Sequence, residues 1–158
     1  INALAERRAL ARSSKTPGRT QLINLFALAA EARIADLPGY GYAKVPAAMK
    51  AHWQQLVGDY LQQRASLAGL FLVVDARRGL SEDEWMLNRW AQERGLAVRI
   101  LLTKSDKLTR NEQRAALSVA QRALVGTAVV QLFSAVDKSG VEEARAALDE
   151  MLGKKNPR

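Results

Sequence analysis

The sequence predicts an α/β fold built on a doubly wound, mainly parallel sheet with one antiparallel strand, and three observations predict it. Short apolar runs alternate with amphipathic segments of about ten to twenty residues, the rhythm of strand-helix-strand units. Two of the runs, Gly69-Leu-Phe-Leu-Val-Val-Asp75 and Ala97-Val-Arg-Ile-Leu-Leu-Thr103, are apolar almost throughout, as expected of parallel strands covered on both faces. Three runs also stop at polar residues that open a turn, at Asp36, at Thr103-Lys104-Ser105-Asp106 and at Ser134-Ala135. The carboxyl ends of strands in an open α/β sheet are where ligands bind, so these stops are candidate site residues.

At 158 residues the chain fits one domain, with hydrophobic residues at 48% and charged residues at 25%. The expected domain covers residues 1–152, and residues 153–158 form a basic, solvated tail. There is no cysteine, which excludes disulfides, thiolate metal sites and cysteine nucleophiles. His52 is the single histidine, which argues against a histidine triad or a multi-histidine metal site and for a solvated or partly packed helix residue. No apolar stretch approaches a membrane span and no signal peptide is evident, so a cytoplasmic protein is expected. The 24 Lys plus Arg against 16 Asp plus Glu give a net charge of +8, which favours an anionic partner such as RNA. The basic residues are spread along the chain, so solvated helix faces account for most of them.

Taken in order, Ile1-Asn2-Ala3-Leu4-Ala5-Glu6 lacks a helix cap and reads as a helix already under way, as if the chain were cut at its front. Residues 11–20, polar and basic around Pro17-Gly18, read as a surface loop. Residues 21–28 and 32–36, separated by Ala29-Ala30-Glu31, suggest a hairpin that delivers Asp36. Asp36-Leu37-Pro38-Gly39 follows; taken alone it fits an ordinary tight turn as well as a site.

Pro46 opens a helix to about Arg64, with apolar residues at helical spacing. Ser81 caps a helix from Glu82 to Glu93, whose acidic first turn suits the helix dipole and whose Trp85, Leu87 and Trp90 are packing residues. A helix from about Arg110 to Leu124, a strand at Val129–Phe133 and an amphipathic helix from Val141 to Leu152 complete the chain.

Thr103-Lys104-Ser105-Asp106 after an apolar strand carries the most specific chemistry. Guanine presents N1–H and an exocyclic amine side by side, and a carboxylate accepts both in a charge-assisted pair. Adenine would set an acceptor lone pair against that carboxylate, so the site discriminates between the bases. Lys104 can lay its methylene stem along the base, and a backbone N–H near Ser134-Ala135 can meet the guanine carbonyl. The competing reading of the same spacing is a helix cap after a strand.

Asp36-Leu37-Pro38-Gly39, Thr103-Lys104-Ser105-Asp106 and Phe133-Ser134-Ala135 resemble the magnesium-linked, guanine-reading and guanine-supporting motifs of translation-factor-related P-loop GTPases. Ser14-Lys-Thr-Pro-Gly-Arg-Thr-Gln21, then Asp-Leu-Pro-Gly-Tyr-Gly-Tyr-Ala with Lys44-Val45-Pro46, is similar to the EngB (YihA) type of bacterial GTP-binding protein within the TrmE-Era-EngA-YihA-like group. The likeness runs from about Ile1 to Leu152. It implies a GTPase switch that binds GTP and GDP with Mg2+ and acts as a monomer. It also implies a role in large-ribosomal-subunit assembly and normal cell division and septation, with a precursor particle or its rRNA as partner.

Carried over by position, Thr20 would meet magnesium and the γ-phosphate, Asp36 would hold magnesium through a water, and the Gly39 N–H would touch the γ-phosphate. Thr16 is the weaker candidate for the threonine role.

Two departures stand against the resemblance. Tyr40 follows Gly39 where related enzymes place a water-orienting glutamine, so no catalytic side chain is evident and slow intrinsic hydrolysis is expected. Tyr40 and Tyr42 read either as a packed hinge or as an RNA-stacking pair. The motif Gly-x-x-x-x-Gly-Lys-Ser/Thr occurs nowhere in the chain. The expected fold therefore lacks the first central strand and the phosphate loop, and this chain is expected to bind GTP poorly or not at all; the alternative is a basic, non-enzymatic RNA- or ribosome-interaction module, or a fragment with no nucleotide activity.

In an intact version that carries the phosphate loop, Asp106→Asn replaces a double acceptor by a donor-acceptor pair and should move preference from guanosine toward xanthosine nucleotides. Competition binding checks this, and unchanged guanine preference would refute the assignment of Asp106.

Overall fold

The computed structural model describes residues 1–7, 9–11, 22–29, 31–39 and 46–153. They fall into two compact units, Ile1–Ala65 and Ser66–Arg158.

The first unit begins with a single turn, closed by Ala5 N–H donating to the Ile1 carbonyl at 2.9 Å, and not with the expected helix. Left-handed backbone at Glu6 (φ 51°) and Ala9 (φ 63°) stops the turn from propagating. Asn2 then clamps Ala11 from both sides, donating to its carbonyl at 2.9 Å and accepting from its N–H at 2.7 Å. The hairpin forms as predicted: β1 (Asn24–Ala27) pairs antiparallel with β2 (Arg33–Asp36), with Asn24 opposite Asp36 and Phe26 opposite Ile34. Helix α1 (Ala47–Gln63) starts at Pro46, whose carbonyl accepts from Met49 and Lys50, and it buries Val57, Gly58 and Leu61. His52 is exposed on this helix.

The second unit holds the parallel sheet, in the order β3 (Gly69–Asp75), β4 (Ala97–Thr103), β5 (Val129–Leu132). Helix α2 (Glu82–Glu93) links β3 to β4 and α3 (Arg110–Ala123) links β4 to β5. Successive right-handed crossovers in one direction put both helices on the same face of the sheet. That face is the core: Leu70, Leu72, Val74, Val98, Ile100, Leu102 and Val130 are buried with Leu87, Ala91, Ala120 and Leu124. Each fully buried Leu or Ile among them contributes about 1.5–3 kcal/mol.

The last helix, α4 (Val141–Met151), lies over the opposite face, where Arg99 meets Glu143 at 3.5 Å and Met151 sits against Gly69. Here the expectation of strands covered on both faces fails in part: Val73 of β3 is 58% exposed, because α4 packs over β4 and the Gly69 end of β3. The parallel strands and the antiparallel pair of the expected fold are thus present as two sheets, β3-β4-β5 and β1-β2.

Helix ends obey local chemistry. Ser81 and Glu84 form a capping box on α2, and Thr109 and Glu112 form a second one on α3. The first-turn acids of α2 do more than complement the dipole, since Asp83 and Glu84 are buried while Trp85 stays 40% exposed. Burial of Glu84 is tolerable because Arg78 donates to it at 2.6 Å and Ser81 donates through both N–H and hydroxyl. Trp85 is therefore not the packing residue that its spacing implied.

Gly140 caps α4 with φ 71°, and a Cβ there would lie 2.0 Å from the Leu132 carbonyl oxygen. Gly79 has a similar φ of 75° in open space. Gly79→Ala should therefore cost about 1–2 kcal/mol for the backbone alone. Gly140→Ala adds the clash and should cost roughly 3 kcal/mol or more. Denaturant unfolding of the two variants measures the difference.

Candidate functional site

The ladder sets the geometry. Parallel pairing places Asp75 opposite Thr103 and Leu102 opposite Leu132, so β3, β4 and β5 finish at one level. Three bonds carry the alignment past the strand ends: Thr103 Oγ1 donates to the Val74 carbonyl at 2.9 Å, Ala76 N–H to the Thr103 carbonyl at 2.9 Å, and Phe133 N–H to the Leu102 carbonyl at 2.9 Å. Lys104 then takes left-handed backbone (φ 57°, ψ 30°) and turns the chain into a short 3-10 segment, Ser105–Lys107. Ser105 is buried under that turn, its N–H donating to the Phe133 carbonyl at 3.3 Å and its carbonyl accepting from Gln113 of α3 at 2.9 Å.

Asp106 stands on the turn with its carboxylate defined at both oxygens. Ser134 Oγ donates to Oδ1 at 2.7 Å, and Lys107 Nζ lies 3.3 Å from Oδ2. The Ser134 hydrogen bond, then Lys107, holds the carboxyl below the usual carboxylate range, so it is ionised at neutral pH. A carboxylate has about four acceptor sites, more than Ser134 and Lys107 take up, so it can also accept from N–H donors.

Phe133 and Ser134 are buried, and Ala135 is exposed. The Ser134 N–H is taken by the Ser139 carbonyl at 2.9 Å, while its hydroxyl accepts from the N–H groups of Val136 (3.1 Å) and Asp137 (3.3 Å). Of the expected Ser134-Ala135 pair, Ala135 therefore carries the N–H with no acceptor among the described residues. Asp137 in turn accepts from Ser139 N–H (2.9 Å) and Oγ (2.7 Å), closing residues 134–139 into one loop.

Asp75 was read from the sequence only as the acid ending an apolar run. In the structure it accepts from Arg77 Nε (2.9 Å), Nη2 (2.6 Å) and N–H (3.0 Å), and from Lys104 Nζ at 3.0 Å. The Arg77 fork, followed by Lys104, holds its carboxyl well below the usual range. A carboxylate depressed in this way stabilises the fold above its ordinary value near pH 4, and that contribution is lost as the pH falls through the lower folded value. The acid that closes the apolar run Gly69–Asp75 is the only signal the sequence offers for it.

Asp36 ends β2 in the first unit, half-buried; burial pushes its carboxyl up. Leu37 is half-buried, Pro38 buried and Gly39 exposed. The turn is pinned to α1, since Trp53 Nε1 donates to the Pro38 carbonyl at 2.8 Å. Thr16, Thr20, Tyr40, Tyr42, Lys44 and Val45 lie outside the described residues, as do residues 154–158 of the tail.

The family described as 50S ribosome-binding GTPase matches residues 1–104. A probable GTP-binding protein EngB of Nitrosococcus oceani is 53% identical over 156 residues, covering 97% of this chain and 78% of that protein. Its Escherichia coli counterpart is 44% identical over 160 residues, covering 99% of this chain and 76% of that protein. Among solved structures, a probable GTP-binding protein engB superposes with a TM-score of 0.69 at 17% identity, over 98% of this chain and 91% of its own. The GTP-analogue complex of elongation factor SelB from Methanococcus maripaludis gives 0.64 at 19% identity, over 88% of this chain and 30% of that one. At these identities the two structures speak to the fold alone.

Ser134→Ala would remove the donor to Asp106 Oδ1 and the acceptor of two backbone N–H groups. The Asp106 carboxyl should titrate at higher pH and stability should fall by about 1–3 kcal/mol. Side-chain carbon NMR and denaturant unfolding read the two effects.

Proposed function

Because the chain belongs to the EngB family of GTP-binding proteins, we propose that it is a guanine-nucleotide switch that reads the base through Asp106 and acts on the large ribosomal subunit precursor. The observation that carries the proposal is the Asp106 carboxylate, ionised and braced by Ser134 and Lys107 at the common end of three strands, with acceptor sites left over. In this reading guanine N1–H and its amine occupy those acceptor sites, Ala135 N–H meets the base carbonyl, and Lys104 lies along the ring. Thr103, Ser105 and Phe133 touch the base less directly; their hydrogen bonds fix where Lys104 and Asp106 stand.

Asp36 fits a magnesium role of limited scope. Among the described residues no three His, Cys, Asp or Glu converge on a metal site. Magnesium bound with a nucleotide keeps several waters and takes one or two carboxylates plus phosphate oxygens, so a single strand-end acid suffices. Bound there, the ion would supply charge neutralisation to the phosphates. Asp36 would hold one of its waters, with Thr20 as a direct ligand and Leu37 to Gly39 as the phosphate-sensing turn. The Trp53–Pro38 hydrogen bond supports this last role, because any change in that turn strains or relieves a contact on α1. A change in the phosphates can then be felt by a helix.

The net charge of +8 and the family's description support a ribosomal partner, and a role in cell division and septation follows from the same family reading. No described helix is long and apolar enough to cross a membrane.

Two measurements test the proposal. In an NMR titration, Lys104, Asp106 and Ala135 signals should move with GDP and not with ADP; equal responses would refute the base assignment. Co-sedimentation with ribosomal particles should depend on nucleotide and fall steeply as salt is raised, since each phosphate contact releases counterions. Binding indifferent to nucleotide would favour a plain basic module.

A further inference from the structure

We infer that Asp75 is a positioning residue for nucleotide recognition, holding Lys104 in the extended pose in which its stem can cover the base; this rests on the guanine-site reading above. Lys104 is a flexible side chain on a residue that already sits in left-handed backbone, and its ammonium ends 3.0 Å from Asp75 Oδ2. The stem is thereby stretched between the carboxyl ends of β4 and β3, which the register sets side by side. Asp75 is not free to follow the lysine, because Arg77 grips it through a two-point fork and through its backbone N–H.

The lysines are also sorted between the acids. Lys107 takes Asp106 and Lys104 takes Asp75. Asp106 thus keeps acceptor capacity for a base, and Lys104 does not collapse onto the carboxylate that must read it. A lysine held in place before the ligand arrives loses less rotamer freedom on binding, so the anchor acts as preorganisation and makes no contact with the base itself.

The test is an NMR titration of the 158-residue chain with GDP and with ADP, comparing wild type with Asp75→Asn, Arg77→Gln, Lys104→Met, Asp75→Asn/Lys104→Met and Asp106→Asn. Loss of an exposed ion pair predicts that Asp75→Asn raises the Kd for GDP about threefold. Arg77→Gln, which loosens Asp75 without removing it, should act in the same direction and less. The double variant should bind no more weakly than Lys104→Met alone, a non-additivity that a merely structural role for Asp75 would not produce.

Wild-type affinity in both Asp75→Asn and Arg77→Gln, or additive losses in the double variant, would overturn the positioning role. If Asp106→Asn meanwhile abolishes GDP selectivity, the base-site reading stands without it. A wild-type chain that does not distinguish GDP from ADP would overturn both. Should Asp75→Asn lose its native amide dispersion, Arg77→Gln alone decides: a weaker GDP titration supports the role and an unchanged one refutes it.

Discussion

The hydroxyl of Ser134 has one proton and two lone pairs, and the site uses all of them. The proton goes to Asp106, and the oxygen accepts from Val136 and Asp137. This group is wholly buried, so each of those bonds is made away from competing water, where leaving one unmade is costly. One side chain thereby ties the loop after β5 to the acid after β4, and neither can shift without the other. The in-register ends of β3 and β4 supply the floor beneath this contact, and Gln113 of α3 braces Ser105 from behind. In the proposed reading, base recognition at Asp106 is a property of the whole sheet edge.

Much of this edge was legible in the sequence, for a physical reason. Periodicity located α2, α3 and α4 to within a residue or two, because each buries one face and carries its own capping signals, such as Ser81 with Glu84. The two long apolar strands were equally plain, and so was the hairpin around Ala29 to Glu31. Motif spacing also reported Asp106 and Ser134 correctly as neighbours, since strands that end at one level bring their following residues together.

What escaped was whatever depends on long-range pairing of charge or on backbone sign. Asp75 looked like a strand-ending acid until Arg77 and Lys104 were seen to converge on it. Glu84 was read as a dipole-complementing residue, yet it is buried on Arg78, and Trp85 stayed outside in consequence. The helix expected at Ile1 did not form because Glu6 and Ala9 turn left-handed, a choice no propensity scale predicts for those residues. The uncovered side of β3 at Val73 reflects which helix happens to pack where, and an apolar run reads the same with one face covered or two.

Lys104 carries a further consequence. A non-glycine residue in left-handed backbone is locally unfavourable, and a search for stabilising substitutions would reach for glycine at this position first. That exchange would relax the turn and erase the lysine side chain that joins the ends of β3 and β4. If Lys104 serves the proposed site, the strain marks where stability is traded for readiness to bind, and thermostabilised versions of this chain are best built elsewhere, on the surfaces of α2 and α3.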